Sequence, residues 1–159
     1  MKPAGVCDPH MASIDFQIDR NALEEHGALR LTEESVGALS HLFLRMPITL
    51  VVGGVTILDR AEVPLIQMAY TALSVLKVLP KRGTDEVIIP GGSGLLLLME
   101  GSDAVVTYVH TGSTGRESYS EVLKAWQDFS DRVRSFLVNE FPDFREHPQL
   151  GAWFREGSV

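Results

Sequence analysis

Ser118 to Phe141 reads SYSEVLKAWQDFSDRVRSFLVNEF and is the clearest amphipathic helix in the chain. Val122, Trp126, Phe129, Val133, Phe136 and Leu137 recur at three- and four-residue steps, which places them on one stripe. Lys124, Gln127, Asp128, Asp131, Arg132 and Arg134 fall on the other side. Ser118 with Glu121 forms a capping box: the hydroxyl accepts the third helical N–H and the carboxylate accepts the Ser118 N–H. Pro142 biases Phe141 away from helical angles and stops the helix. About 22 residues at about 1.5 Å each span about 33 Å, enough to cross a small domain. The stripe is expected to fill one side of a sheet centred on Leu95 to Met99.

Working back from this helix, Thr111 to Glu117 reads as a glycine- and serine-rich loop. Three strands precede it, Glu86 to Ile89, Leu95 to Glu100 and Ala104 to His110, separated by Pro90-Gly91-Gly92-Ser93-Gly94 and Gly101-Ser102-Asp103. Leu95 to Met99 is apolar at every position, which implies a central strand covered on both faces. Before these, residues 62–79 read as a broadly apolar helix. Asp59 and Glu62 are its cap, Pro64 lies in its first turn and Pro80 is its stop.

Ile48 to Val52, Gly53-Gly54 and Val55 to Leu58 form a hairpin, because paired glycines accept the positive φ that its tight turn requires. This register opposes Val52 to Val55 and Leu50 to Ile57. A helix capped by Thr32, with Glu33 and Glu34 in its first turn, is expected to bury Val36, Leu39, Leu42 or Phe43, and Met46, and to be closed by Pro47. A shorter helical turn covers Ala22 to His26, and Ile14 to Asp19 alternates as an edge strand. Residues 1–13 have no periodicity, and His10-Met11-Ala12-Ser13 resembles a vector scar, so they are set apart as a disordered leader. At the other end, Trp153 and Phe154 are expected to fold back onto the body. The fold class is α+β. It is a mainly antiparallel five- to six-stranded sheet with a buried central helix and a long C-terminal amphipathic helix, in one domain over 14–156.

With 159 residues, 45% of them hydrophobic, the chain can bury a sizeable core. Its formal charge of −7 and the absence of a basic run longer than Lys81-Arg82 argue against nucleic acid or an anionic membrane as partner. Cys7 is the single cysteine, no secretory or membrane-spanning segment is legible, and a cytoplasmic location is expected.

No cofactor-binding, metal-binding or catalytic motif is recognisable, so the reading is of a protein that is not an enzyme. Gly91-Gly92-Ser93-Gly94 precedes a strand, where a phosphate loop needs a helix N-terminus. The histidines have no metal-ligand spacing. The alternative is a small-ligand domain or enzyme with a pocket beside His110 and the 111–117 loop, lined by Tyr108 and Ser113. A third reading is a homodimer built on the edge of the first strand.

The Gly-Gly hairpin, the buried helix, the three-strand meander and the ending Phe141-Pro142 through His147-Pro148-Gln149-Leu150-Gly151-Ala152-Trp153 complete the pattern. It resembles the small α+β immunity proteins that bacteria make against polymorphic or contact-delivered toxins. The resemblance is one of pattern over residues 14–155 and carries over no individual binding residue. It implies stoichiometric binding and occlusion of a toxin domain, often a basic one. The expected contacts are Asp128, Asp131 and Glu121 on the long helix, or Glu100 and Asp103 at the meander turn.

Overall fold

The computed structural model describes residues 11–21, 23, 39, 44–89 and 93–156. Its strands form two antiparallel sheets where the sequence reading expects one. The first has the order β1 (Ala12–Phe16), β2 (Arg45–Val52), β3 (Val55–Pro64), and the second runs β4 (Thr84–Ile88), β5 (Gly94–Glu100), β6 (Asp103–Tyr108), β7 (Ser113–Ser118). The fold is therefore α+β, with three and four strands in its two sheets. β7 replaces the expected 111–117 loop. Its Gly115 is needed for contact: a Cβ there would stand 2.2 Å from the Val52 carbonyl oxygen, and one on Gly53 would stand 2.1 Å from that of Arg116. The two sheets thus meet backbone to backbone at paired glycines.

Gly53 and Gly54 adopt φ of +59° and +80°, the tight turn their sequence demands. Val52 opposes Val55 as expected, but Leu50 faces Leu58 and not Ile57, because the register slips between Leu50 and Val51 and again between Ile48 and Leu50. Bulges in β3 explain why consecutive Ile57 and Leu58 are both buried, where simple alternation would bury one. β3 also continues to Pro64, so Asp59 and Glu62 are exposed strand residues and cap no helix.

Met46 and Pro47 likewise belong to β2, not to a helix end. The Pro47 carbonyl accepts the Gln17 N–H at 2.9 Å. Its ring nitrogen therefore faces the side where β1 has ended, and pairing with β3 loses nothing. Arg20, Asn21, Leu23 and Leu39 are helical. The expected cap at Thr32 with Glu33 and Glu34, the turn at Ala22 and His26, and the positions Val36, Leu42 and Phe43 lie outside the described residues, as do Pro90, Gly91 and Gly92.

After β3 the chain enters a π turn, Gln67–Thr71, and then α1, Ala72–Arg82. The Ala72 N–H bonds the Gln67 carbonyl, five residues back, and the Met68 carbonyl instead accepts the Trp126 indole N–H at 2.7 Å. Pro80 does not stop α1. Its ring removes the N–H that would have reached the Leu76 carbonyl, and the Tyr119 hydroxyl donates to that carbonyl at 2.8 Å. Gly83, at φ +77° with its N–H on the Leu79 carbonyl, ends the helix.

The long helix is α2, Tyr119–Glu140, with Ser118 as its cap. The Ser118 hydroxyl accepts the Glu121 N–H at 3.3 Å, but the reciprocal bond comes from Glu117, whose carboxylate accepts the Ser118 N–H at 2.8 Å. Val122, Trp126, Phe129, Val133 and Leu137 are buried and Phe136 is half-buried. The stripe lies chiefly on β1 and the π turn, not across the centre of the second sheet. Phe16 meets Phe129 and Phe136 at centroid distances of 5.9 and 5.6 Å. Arg132 donates to the Ile14 carbonyl at 2.6 Å and to Asp15 at 2.7 Å, while Asp15 accepts the Phe16 N–H. Outward-facing groups of the β1 edge are thereby occupied, which opposes strand addition there.

β5 is covered on one face only. Leu95 and Leu97 are buried, whereas Leu96 and Leu98 are exposed. Beyond α2 come a 3-10 turn, Pro142–Glu146, and α3, Gly151–Glu156. Phe144, Leu150, Trp153 and Phe154 pack into the core, so the tail folds back as expected. His147 shapes the turn between them, its Nδ1 accepting the N–H groups of Gln149 and Leu150 at 3.1 and 3.0 Å.

Three substitutions test these features. Gly115→Ala is expected to lower unfolding free energy in urea by about 2 kcal/mol or more, through forced backbone movement. Gly112→Ala, with φ +76° but nothing within 4 Å, should cost only about 1 kcal/mol of conformational strain. Burial pushes the Tyr119 phenol above its ordinary value of 10.0. The folded state then holds this proton more tightly than the unfolded state, so the contribution is complete below about pH 10 and fades as pH rises through the folded-state value. Tyr119→Phe should remove that alkaline loss and cost about 1–2 kcal/mol at neutral pH, because the Leu76 carbonyl is left without a donor.

Candidate functional site

The polar side of α2 faces an open groove whose other walls are α1 and α3. Leu73 and Lys77 form one wall, Asp128, Asp131 and Arg134 the second, and Trp153 the end, around a cavity of about 410 Å³. A smaller hollow of about 230 Å³ continues past Trp153 toward Tyr70, Ser74 and Gln149. The groove exists because α3 is docked through its aromatics. The Trp153 indole N–H donates to Ser130 Oγ at 3.3 Å, its ring lies 5.4 Å from that of Tyr70, and the next residue, Phe154, stacks on Phe144 at 4.8 Å.

Arg134 is the hinge between the polar and aromatic parts. Its side chain is only 12% exposed; it pairs with Asp131, donates to the Trp153 carbonyl at 3.3 Å and lies 6.0 Å from the Trp153 ring centroid. Its Nε is buried with no hydrogen-bond partner among the described residues. Asp128 and Asp131 remain 60% and 63% exposed, and among the described residues Asp128 is held by Lys124 alone, at 3.4 Å. Such exposed pairs are weak and exchange readily with an incoming charge. Among the described residues no histidine or cysteine lines either hollow, and Ser130 Oγ is engaged by the indole. Among the described residues, no group of three or more His, Cys, Asp or Glu could hold a metal ion. The arrangement is suited to adhesion: exposed carboxylates beside an indole and a cation.

The structure brings together two of the five acidic residues singled out from the sequence, Asp128 and Asp131. Glu121 is exposed on the same helix, seven residues and therefore about 10 Å before Asp128 on nearly the same face. Glu100 and Asp103 sit apart, paired across the β5–β6 turn, with Glu100 also bonded to Arg116. That turn touches the start of α2 through the Tyr119 N–H on the Ser102 carbonyl at 2.9 Å.

His110, Tyr108 and Ser113 lie at the tip of the β6–β7 hairpin. The His110 and Tyr108 rings are 5.8 Å apart, Ser113 Oγ accepts the Thr111 hydroxyl, and none of the three lines either hollow. Sequence reasoning passes over Lys77 and the Trp153 edge, which become neighbours of Asp128 only when α1 and the C-terminal tail pack beside α2. The density of aromatic residues after Pro142 was the available signal, and it pointed to docking without saying against what. Compared with protein-family models, with curated proteins and with solved structures, the chain matches none.

Proposed function

We propose that the chain is a binding protein of the immunity type, which neutralises a cognate bacterial toxin domain in the cytoplasm by stoichiometric occlusion. The observation that carries this reading is the placement of the exposed carboxylates of Asp128 and Asp131 beside the Trp153 indole in an open groove. A partner arginine or lysine entering there pairs with the carboxylates, while its alkyl stem meets the exposed edge of the otherwise buried Trp153 at the end of the groove. The net charge of −7 supports attraction of a basic partner over a distance. Glu121 extends the acidic surface along α2, and Glu100 with Asp103 supplies a second acidic point at the meander turn. Charge at the rim raises the encounter rate and sets salt dependence, while the desolvated anchor sets residence time.

The test is affinity capture from the native cell, followed by expression of the captured protein alone and together with this chain. The expected result is a near-stoichiometric partner that is toxic alone and harmless when co-expressed. Capture of no such partner, or of one whose toxicity is unchanged, overturns the reading. With the partner in hand, Asp128→Lys combined with Asp131→Lys should weaken binding at least about tenfold and flatten its salt dependence, with the circular dichroism unchanged. Unaltered affinity in that variant moves the interface away from α2.

A further inference from the structure

We infer that the groove between α1, α2 and α3 receives a chain terminus: a C-terminal arginine of the partner, with its guanidinium on Asp128 and Asp131 and its free carboxylate on Lys77. The inference deepens the binding reading above and rests on it in taking the groove as the contact surface, but not in the partner being a toxin.

Tyr70, Ser74 and Lys77 follow one another at steps of four and three, so they share the side of the π turn and α1 that faces the groove. Lys77 is exposed and lines both hollows, as Leu73 and Trp153 do, which places it where the two meet. Asp128 and Asp131 line the larger hollow only. Although Lys77 shares that hollow with them, it pairs with neither, and among the described residues it has no hydrogen-bond or ionic partner. Arg134 is the fourth charged group there, so two carboxylates and two cations line the larger hollow. A ligand with a lone positive charge suits the aspartates and is opposed by Lys77. One that carries both signs, spaced to meet the two walls, suits all of them.

Residues three apart on a helix have Cβ atoms about 5–6 Å apart, a span that a planar guanidinium with its five N–H groups bridges better than the point charge of an ammonium. The arginine stem then passes Leu73 and the Trp153 edge. An α-carboxylate is attached to the carbon from which that stem branches, so it falls at the junction beside Lys77. An acidic side chain on the next residue of an extended segment points to the opposite side and does not reach it. The residues before the terminus run into the smaller hollow, where Tyr70, Ser74 and Gln149 bring polar but uncharged groups. At about 410 Å³, the larger hollow falls within the range of about 300–1,000 Å³ usual for small-ligand pockets.

The test is titration of the full chain with the acetylated peptide Gly-Ser-Ala-Arg, followed by NMR at the Trp153 indole N–H. The chain has two tryptophans, so loss of one signal in Trp153→Phe assigns it. The peptide should bind with a dissociation constant of about 1 mM or below. Its C-terminal amide, its citrulline analogue and free L-arginine should each bind at least about fivefold more weakly, because each lacks one of the three contacts. Lys77→Met, at an exposed position, should bring the acid down to the affinity of the amide, and Asp128→Asn should weaken both forms. No binding up to about 5 mM overturns the inference. Equal affinity of acid and amide also overturns it, and leaves the immunity reading standing with an internal basic residue in the groove. Free arginine binding as tightly as the peptide overturns it in favour of the amino acid itself. Failure to capture a toxin, by contrast, removes the immunity reading and does not alter these titrations.

Discussion

The Trp126 indole N–H reaches the Met68 carbonyl at 2.7 Å in a part of the core where neither residue touches water. A buried carbonyl without a donor is costly, and the π turn creates one by sending the Ala72 N–H to Gln67. The tryptophan therefore answers a defect in one helix with a side chain from another, 58 residues later. The same logic operates in the last two turns of α1, where Pro80 deprives the Leu76 carbonyl and Tyr119 supplies the hydroxyl. These two bonds fix the long helix at its start and near its middle, and Phe129 and Phe136 then fall on Phe16 of the first sheet.

Between the sheets a different constraint operates. Gly53 and Gly115 bring main chains together at distances that no side chain permits, so the hairpin tip of the first sheet abuts the last strand of the second. The helices then close over both sheets from one side, leaving the outer face of the second sheet to solvent. Arg134 and Trp153 complete the arrangement by holding the C-terminal segment beside α2. The candidate groove is consequently a by-product of how the tail is stored, and its chemistry is that of the helix surface it shades.

Much of α2 was readable from residue spacing, because a 3.6-residue period, a serine cap and a following proline all point to one answer. The Gly53-Gly54 turn was readable for the same reason. What local pattern could not show was anything decided by distant carbonyls. Pro80 looks like a stop until Tyr119 offers its hydroxyl, and Pro47 looks like one until Gln17 shows which side of the strand it faces. The run Leu95 to Met99 suggested burial on both faces, yet composition alone does not say whether a second layer is present. Gly112 and Gly115 made β7 resemble a loop, though the first serves a turn and the second a contact. The acidic pair Asp128 and Asp131 was visible from the sequence, but the indole beside them was not.

Arg132 has one more implication, for how the chain is made. Its bonds to Ile14 and Asp15 join residues up to 118 positions apart in sequence, so the edge of β1 stays open until α2 has been synthesised. At about 5–20 residues per second, translation leaves that edge uncovered for roughly 6–24 s. An unpaired strand edge in a nascent chain invites pairing with its neighbours on the same polysome. The guanidinium that closes the finished molecule thus also marks when the growing chain stops being vulnerable to aggregation.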